Sequence, residues 1–325
     1  MMSRQGDASR LENALDGSAG RQLSLTARSV RIIEPTSKSS LPRENVNDGP
    51  GSIGTGVALL VLVVALLLQT VMSSPCAAQS WPDEHQNGLF YYHADFQLQP
   101  VHPLLQTVTQ LEREVPQLLG IGAPEERIHV FLFQHAATYR SYVNKYFPSV
   151  PNRPALFVKQ RGPGMVFARV GPELAVDLRH ETTHAVLHSI LPMVPLWLDE
   201  GLGEYFEMPA ANRPWHPHLK SIRGHVRWGR AANIDRLEQL SDISQMSGDH
   251  YRDAWAWVHF MLHGPPAAKQ TLEAFLRDIE AHVPPDQLSV RLKRAAPNLN
   301  REFVKHFRNW PKQTLAAKTR ATSRR

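Results

Sequence analysis

The sequence predicts an α+β fold in which a mixed sheet with helices comes first and an all-helical lobe follows. Three observations carry this. Strand signals fall between residues 88 and 170 and stop there. From about residue 174 onward apolar residues recur at three- and four-residue spacing, the helical period. At the changeover stands His180-Glu181-Thr182-Thr183-His184, the most informative stretch of the chain. A site built on it lies in the cleft between two lobes, where such folds commonly place their chemistry.

Taken in order, residues 88–96 are rich in aromatics and read as a strand. Leu104, Val108, Leu111, Val115 and Leu118 mark an amphipathic helix that closes at Gly120. Residues 128–133 form a short apolar run, a buried strand. Tyr139, Tyr142, Val143 and Tyr146 suggest a second helix. Residues 155–159 and 165–170 flank Arg161-Gly162-Pro163-Gly164, the turn of a hairpin. The second hairpin strand leads into a helix opened by Gly171-Pro172 and stopped by Pro192. Helices are then expected over 195–207, 250–262, 268–281, 286–295 and 299–309. No internal repeat is visible.

The motif carries chemistry because of its spacing. Residues four apart share a helix face, so His180 and His184 can grip one ion together. Imidazole nitrogen suits Zn²⁺ at roughly 2.0–2.1 Å. Glu181 lies beside that pair and reaches a water at the metal without being a ligand, as a general base requires. A third ligand has to come from elsewhere. Leu187 and Ile190 stand where H-E-x-x-H-x-x-G-x-x-H would place its Gly and His. The next helix offers Glu200 and Glu204, four apart on one face and anchored by Trp197, Leu198, Leu202, Tyr205 and Phe206. Glu200 is the expected ligand and Glu204 the alternative. Gly201 and Gly203 weaken that helix but let a backbone approach the first one closely.

H-E-T-T-H followed by Pro195-Leu-Trp-Leu-Asp-Glu-Gly-Leu-Gly-Glu-Tyr-Phe-Glu207 resembles the gluzincin zinc metallopeptidases, and within them the bacterial peptidase MA-like proteins of the aminopeptidase N and thermolysin-like clan. The resemblance implies a zincin fold and peptide-bond hydrolysis with zinc held by His180, His184 and Glu200. Glu181 is then the catalytic base. It also implies a catalytic Tyr251, which opens a helix three residues before Ala254 and would donate a hydrogen bond to the developing oxyanion; His250 beside it is the second candidate. In zincins the strand before the metal helix is an edge that pairs with extended substrate, a role that falls to residues 165–170. The G-x-M-E-N motif by which aminopeptidases of this clan hold a free amino terminus is not visible upstream. A membrane-tethered binding or scaffold domain that keeps the fold without turnover is the alternative, and an intact Glu181 speaks against it.

The rest of the 325 residues bounds the setting. Residues 1–52 are polar, without sustained periodicity, and read as disordered. Residues 53–72 are almost wholly apolar and just long enough to span a bilayer. Ser73, Ser74, Pro75, Cys76, Ala77 and Ala78 follow, a tolerable cleavage site. The segment is thus a transmembrane anchor or a signal, and the catalytic domain is expected outside the cytoplasm, membrane-anchored or secreted. Residues 73–87 are read as a linker, 88–310 as the peptidase domain and 311–325 as a basic disordered tail. The single cysteine excludes an intrachain disulfide. Net charge is +6, with Lys312, Lys318, Arg320, Arg324 and Arg325 in the tail, so no nucleic-acid partner is expected. The expected partners are a peptide or protein substrate, and the membrane if residues 53–72 stay uncleaved.

Overall fold

A computed structural model describes residues 81–150, 153–160 and 162–311. The expected spanning segment 53–72, the region before it and residues 312–325 of the basic tail lie outside the described residues. No helix among the described residues is long and apolar enough to cross a membrane.

The fold is mixed α and β around one five-stranded sheet. Strands β1 (Asp83–Asn87), β2 (Phe90–Ala94), β3 (Ile128–Phe133), β4 (Ala155–Val158) and β5 (Gly164–Arg169) are arranged in the order β1-β2-β3-β5-β4. The hairpins β1/β2 and β4/β5 are antiparallel, while β2/β3 and β3/β5 are parallel. Period-two alternation sorts the side chains. On β3, Ile128, Val130 and Leu132 enter the main core, whereas Phe133 joins a smaller cluster with Tyr139, Val143 and Phe167 on the opposite face.

Two helices, α1 (His102–Thr109) and α2 (Leu111–Leu119), connect β2 to β3, and α3 (Ala136–Tyr146) follows β3. The run expected as one helix is thus split at Gln110, and nothing local in the sequence marks the break. It does close at Gly120, which is left-handed at φ 65°. Helix α4 (Leu174–Ile190) carries the H-E-x-x-H motif and packs on β4 and β5. After it come helices only among the described residues: α5 (Leu196–Phe206), α6 (His218–Arg227), α7 (Ile234–Glu238), α8 (Gly248–His263), α9 (Pro266–Glu280), α10 (Leu288–Ala295) and α11 (Leu299–Asn309).

Three expectations are corrected. Residues 83–87 are not linker but strand β1, whose Asp-Glu-His-Gln-Asn sequence has no apolar alternation; pairing across a two-residue loop to β2 makes it a strand. Helices α6 and α7 were not expected from the sequence. Residues 165–170 do not form an edge: β5 pairs on one side with β3 and on the other with β4. The reason is connectivity. The chain crosses over through α3 and lays down β4 outermost, so β5 fills the gap beside β3, and the edge at this side of the sheet is Ala155–Val158.

Candidate metal centre

Helix α4 is buried along most of its length, which is why its periodicity reads weakly as amphipathic. Phe157 of β4 stacks against the rings of His184 and His188 at centroid distances of 6.4 and 5.8 Å. Helix α5 crosses α4 at Gly203, where a Cβ atom would stand 2.8 Å from Cε1 of His180. Two residues earlier, on the opposite side of the helix, a Cβ on Gly201 would meet the backbone of Ala254 on α8 at 2.8 Å. Those two glycines let α5 lie between the motif helix and α8, with Glu200 beside them.

That packing brings His180, His184 and Glu200 together. Their ligating atoms lie within 4.8 Å of one another, all buried. Glu200 Oε2 is 3.5 Å from His180 Nε2 and 3.9 Å from His184 Nε2. In a tetrahedral zinc site with bonds of roughly 2 Å, ligating atoms stand roughly 3.3 Å apart. Glu200 Oε2 is buried and makes no hydrogen bond of ordinary length, so it is a lone acceptor facing the two rings that a cation would satisfy. Burial alone would lower the pKa of His180, but Glu200 and Glu207 outweigh it and raise it well above the usual value. The pocket favours positive charge, and the donor set fits Zn²⁺.

The other ring nitrogens are committed. His184 Nδ1 is 2.9 Å from Asp199 Oδ1, and the second oxygen of Asp199 is 2.8 Å from His188 Nε2. His180 Nδ1 is 3.1 Å from Glu207 Oε2, and Glu207 Oε1 is 3.0 Å from His216 Nε2. The backbone N–H of His218 donates to His216 Nδ1, which assigns the proton on His216 to Nε2 and makes it the donor to Glu207. Each motif histidine thus has a carboxylate behind it that fixes its tautomer and turns Nε2 toward Glu200. Asp199 is held well below the usual carboxylate range; burial opposes this, and His188 and His184 overcome it.

Glu204, the alternative ligand, also has a ligand atom within 4.8 Å of His180, in a group with Glu207, but its Oε2 is 2.9 Å from His218 Nε2 and 3.7 Å from His216 Nε2, whereas Glu200 Oε2 faces Nε2 of both motif histidines. The geometry therefore favours Glu200. Glu181 is 2% exposed, and burial pushes its carboxyl up to about 7 against the pull of His180 and His184. Tyr251 is buried on the first turn of α8, one turn before the Ala254 that meets Gly201. His250 caps that helix, accepting at Nδ1 from the backbone N–H of Ser247 at 3.1 Å.

Sequence reasoning missed Asp199, Glu207, His188 and the His216-Pro217-His218 pair. His188 follows His184 by four, a signal that was legible. His216 and Glu207 come from a loop and a helix end, and their partnership has no spacing to betray it.

No family model and no curated protein matches the chain. Among solved structures it is similar to M1 zinc metallopeptidase from Deinococcus radiodurans and to a mutant of that enzyme, each at 14% identity, with TM-scores of 0.32 and 0.33. Each match covers 71% of this chain and 52% of the other, so the chain spans about half the length of the proteins it matches. A likeness that distant establishes neither family nor activity.

Proposed function

We propose that the chain is a zinc-dependent peptidase with a zincin-like arrangement, held at a membrane by residues 53–72 or released outside the cytoplasm. The observation that carries this reading is the convergence of His180, His184 and Glu200 within 4.8 Å, with the buried carboxyl of Glu181 next along the same helix. Zinc bound there would polarise a peptide carbonyl and make water acidic enough to attack near neutral pH.

The chain's own residues supply the rest. Glu181, a buried carboxylate beside the histidine pair, can take the proton of the attacking water and return it to the leaving amine. Asp199 and Glu207 hold the two imidazoles in one tautomer. Tyr251 is the proposed donor to the oxyanion.

The test is hydrolysis of a generic unfolded protein by the purified full chain. Activity should require zinc, vanish with a chelator and return on adding zinc. Glu181→Gln should keep stoichiometric zinc and lose about 10²–10⁴-fold in rate. A chain that binds zinc one to one yet cleaves no peptide bond would leave only a binding role.

A further inference from the structure

Arg153 stands two residues before β4 and is 9% exposed, yet its Nη1 has no hydrogen-bond partner among the described residues. Tyr139, on the first turn of α3, is 1% exposed, and its hydroxyl has no partner either. A buried guanidinium N–H or phenol hydroxyl left without a hydrogen bond is costly and is normally satisfied. The other buried arginines are satisfied: Arg213 pairs with Glu114, and Arg179 donates to the Ala175 carbonyl and the Thr107 hydroxyl.

The topology brings both orphaned groups to the reactive end of the motif helix. The N–H of Arg169 donates to the carbonyl of Pro154, and the N–H of Val170 donates to the carbonyl of Phe133. The start of β4, the end of β5 and the start of α3 therefore meet at one end of the sheet, the end from which α4 departs toward His180 and Glu181. Charge reaches across the same space. Arg153 acts on Glu181, opposing the rise that burial imposes. Tyr139 is pushed up first by burial and then by Glu181, while Arg169 and Arg153 pull it down and Asp177 pushes it up.

We propose that the Arg153 guanidinium and the Tyr139 hydroxyl form an anion-binding subsite beside Glu181 that takes a carboxylate of the substrate. This rests on the peptidase reading above and names the substrate class. A guanidinium and a phenol are both donors, and arginine matches the planar fork of a carboxylate. The carboxylate is either the terminal one of a peptide or the side chain of an Asp or Glu.

The experiment uses the full chain, zinc-loaded, with matched fluorogenic peptides. One set differs only in Asp or Glu against Asn or Gln at each position. The other ends in a free acid or an amide. The carboxylate form of one set should be cleaved with at least about ten-fold higher kcat/KM, mainly through KM. The set that discriminates identifies the source of the carboxylate. Arg153→Met should abolish the discrimination, keep zinc, and melt no lower than wild type, because its buried Nη1 has no hydrogen bond to lose. Tyr139→Phe should narrow the discrimination and keep the ring packing. Binding of the same peptides to Glu181→Gln, read by fluorescence anisotropy, separates the two ideas. Arg153-dependent binding of acidic peptides without any cleavage by wild type would overturn the peptidase reading and keep the subsite. Equal cleavage of acidic and neutral peptides by wild type would overturn the subsite and keep the peptidase. Arg153→Met that melts lower and loses both substrates equally would make Arg153 a structural residue and overturn the proposal.

Discussion

Gly203 lies against the imidazole of His180, so close that a Cβ would sit 2.8 Å from Cε1 and 2.9 Å from Nε2 of the ring. The neighbour is a ligand ring pinned from behind by Glu207, so it has little room to yield. Gly203→Ala should therefore displace His180. The expected result is weaker zinc binding together with a stability loss of about 1–3 kcal/mol, the usual cost of overpacking. Zinc titration and thermal melting of the zinc-free protein read the two effects separately. Unchanged zinc affinity would mean that α4 and α5 can separate without cost.

The three carboxylates on and beside the site should divide by role. Glu181→Gln keeps zinc, whereas Glu200→Gln weakens zinc itself, because only Glu200 faces both Nε2 atoms. Glu204→Gln should leave zinc near wild type, since its carboxylate is paired with His218. Equilibrium dialysis with elemental analysis decides; weak zinc in Glu204→Gln with normal zinc in Glu200→Gln would reverse the assignment.

Glu207 acts through His180. Glu207→Gln should lower zinc affinity about 10–100-fold, typical for loss of a group that orients a histidine ligand. His216→Ala should reproduce part of that loss, because His216 holds the other oxygen of Glu207. If both variants bind zinc as wild type does, the buried His216–Glu207–His180 chain serves folding alone.

Tyr251→Phe removes one hydroxyl and keeps a buried ring. If the hydroxyl serves the oxyanion, kcat falls about 10²–10³-fold while zinc content and melting temperature hold. An unchanged kcat would return Tyr251 to the packing between α8 and α5.

Acid should destabilise the helical lobe independently of zinc. His263 and His306 are both lowered to about 4, chiefly by burial, with Lys269 acting on the first and His263 on the second. His259 beside them is pushed down further, again by burial first. The unfolded chain takes up these protons near pH 6.5, the folded one only near 4. Between those values the unfolded state binds more protons, so stability is full above about 6.5 and is lost as pH falls toward 4. At about 1.4 kcal/mol per pKa unit, one such histidine gives up roughly 2–3 kcal/mol at most over that window. Melting curves of chelator-treated protein against pH should show the slope, and His306→Asn should flatten it. An equal slope in the variant would place the acid sensitivity elsewhere.

The sequence by itself determined the parts of this protein governed by local spacing. The i, i+4 histidine pair, the helix that carries it, the second helix with Glu200, the strand Ile128–Phe133 and the helix stop at Gly120 all follow from periodicity and from glycine and proline. What depends on partners far away in the chain was decided only by tertiary structure. Strand β1 is polar and exists because β2 pairs with it. The outermost position passed from β5 to β4 because a crossover, not composition, sets strand order. Glu207 reached His180, and His216 reached Glu207, across gaps that no helical or strand period relates. Arg153 and Tyr139 look ordinary in sequence, and only the burial of Arg153 Nη1 and the Tyr139 hydroxyl without hydrogen bonds marks them. A periodicity records which face of an element is buried; the energy of a buried charge or hydrogen bond depends on what lies opposite, and that is fixed only when the elements pack.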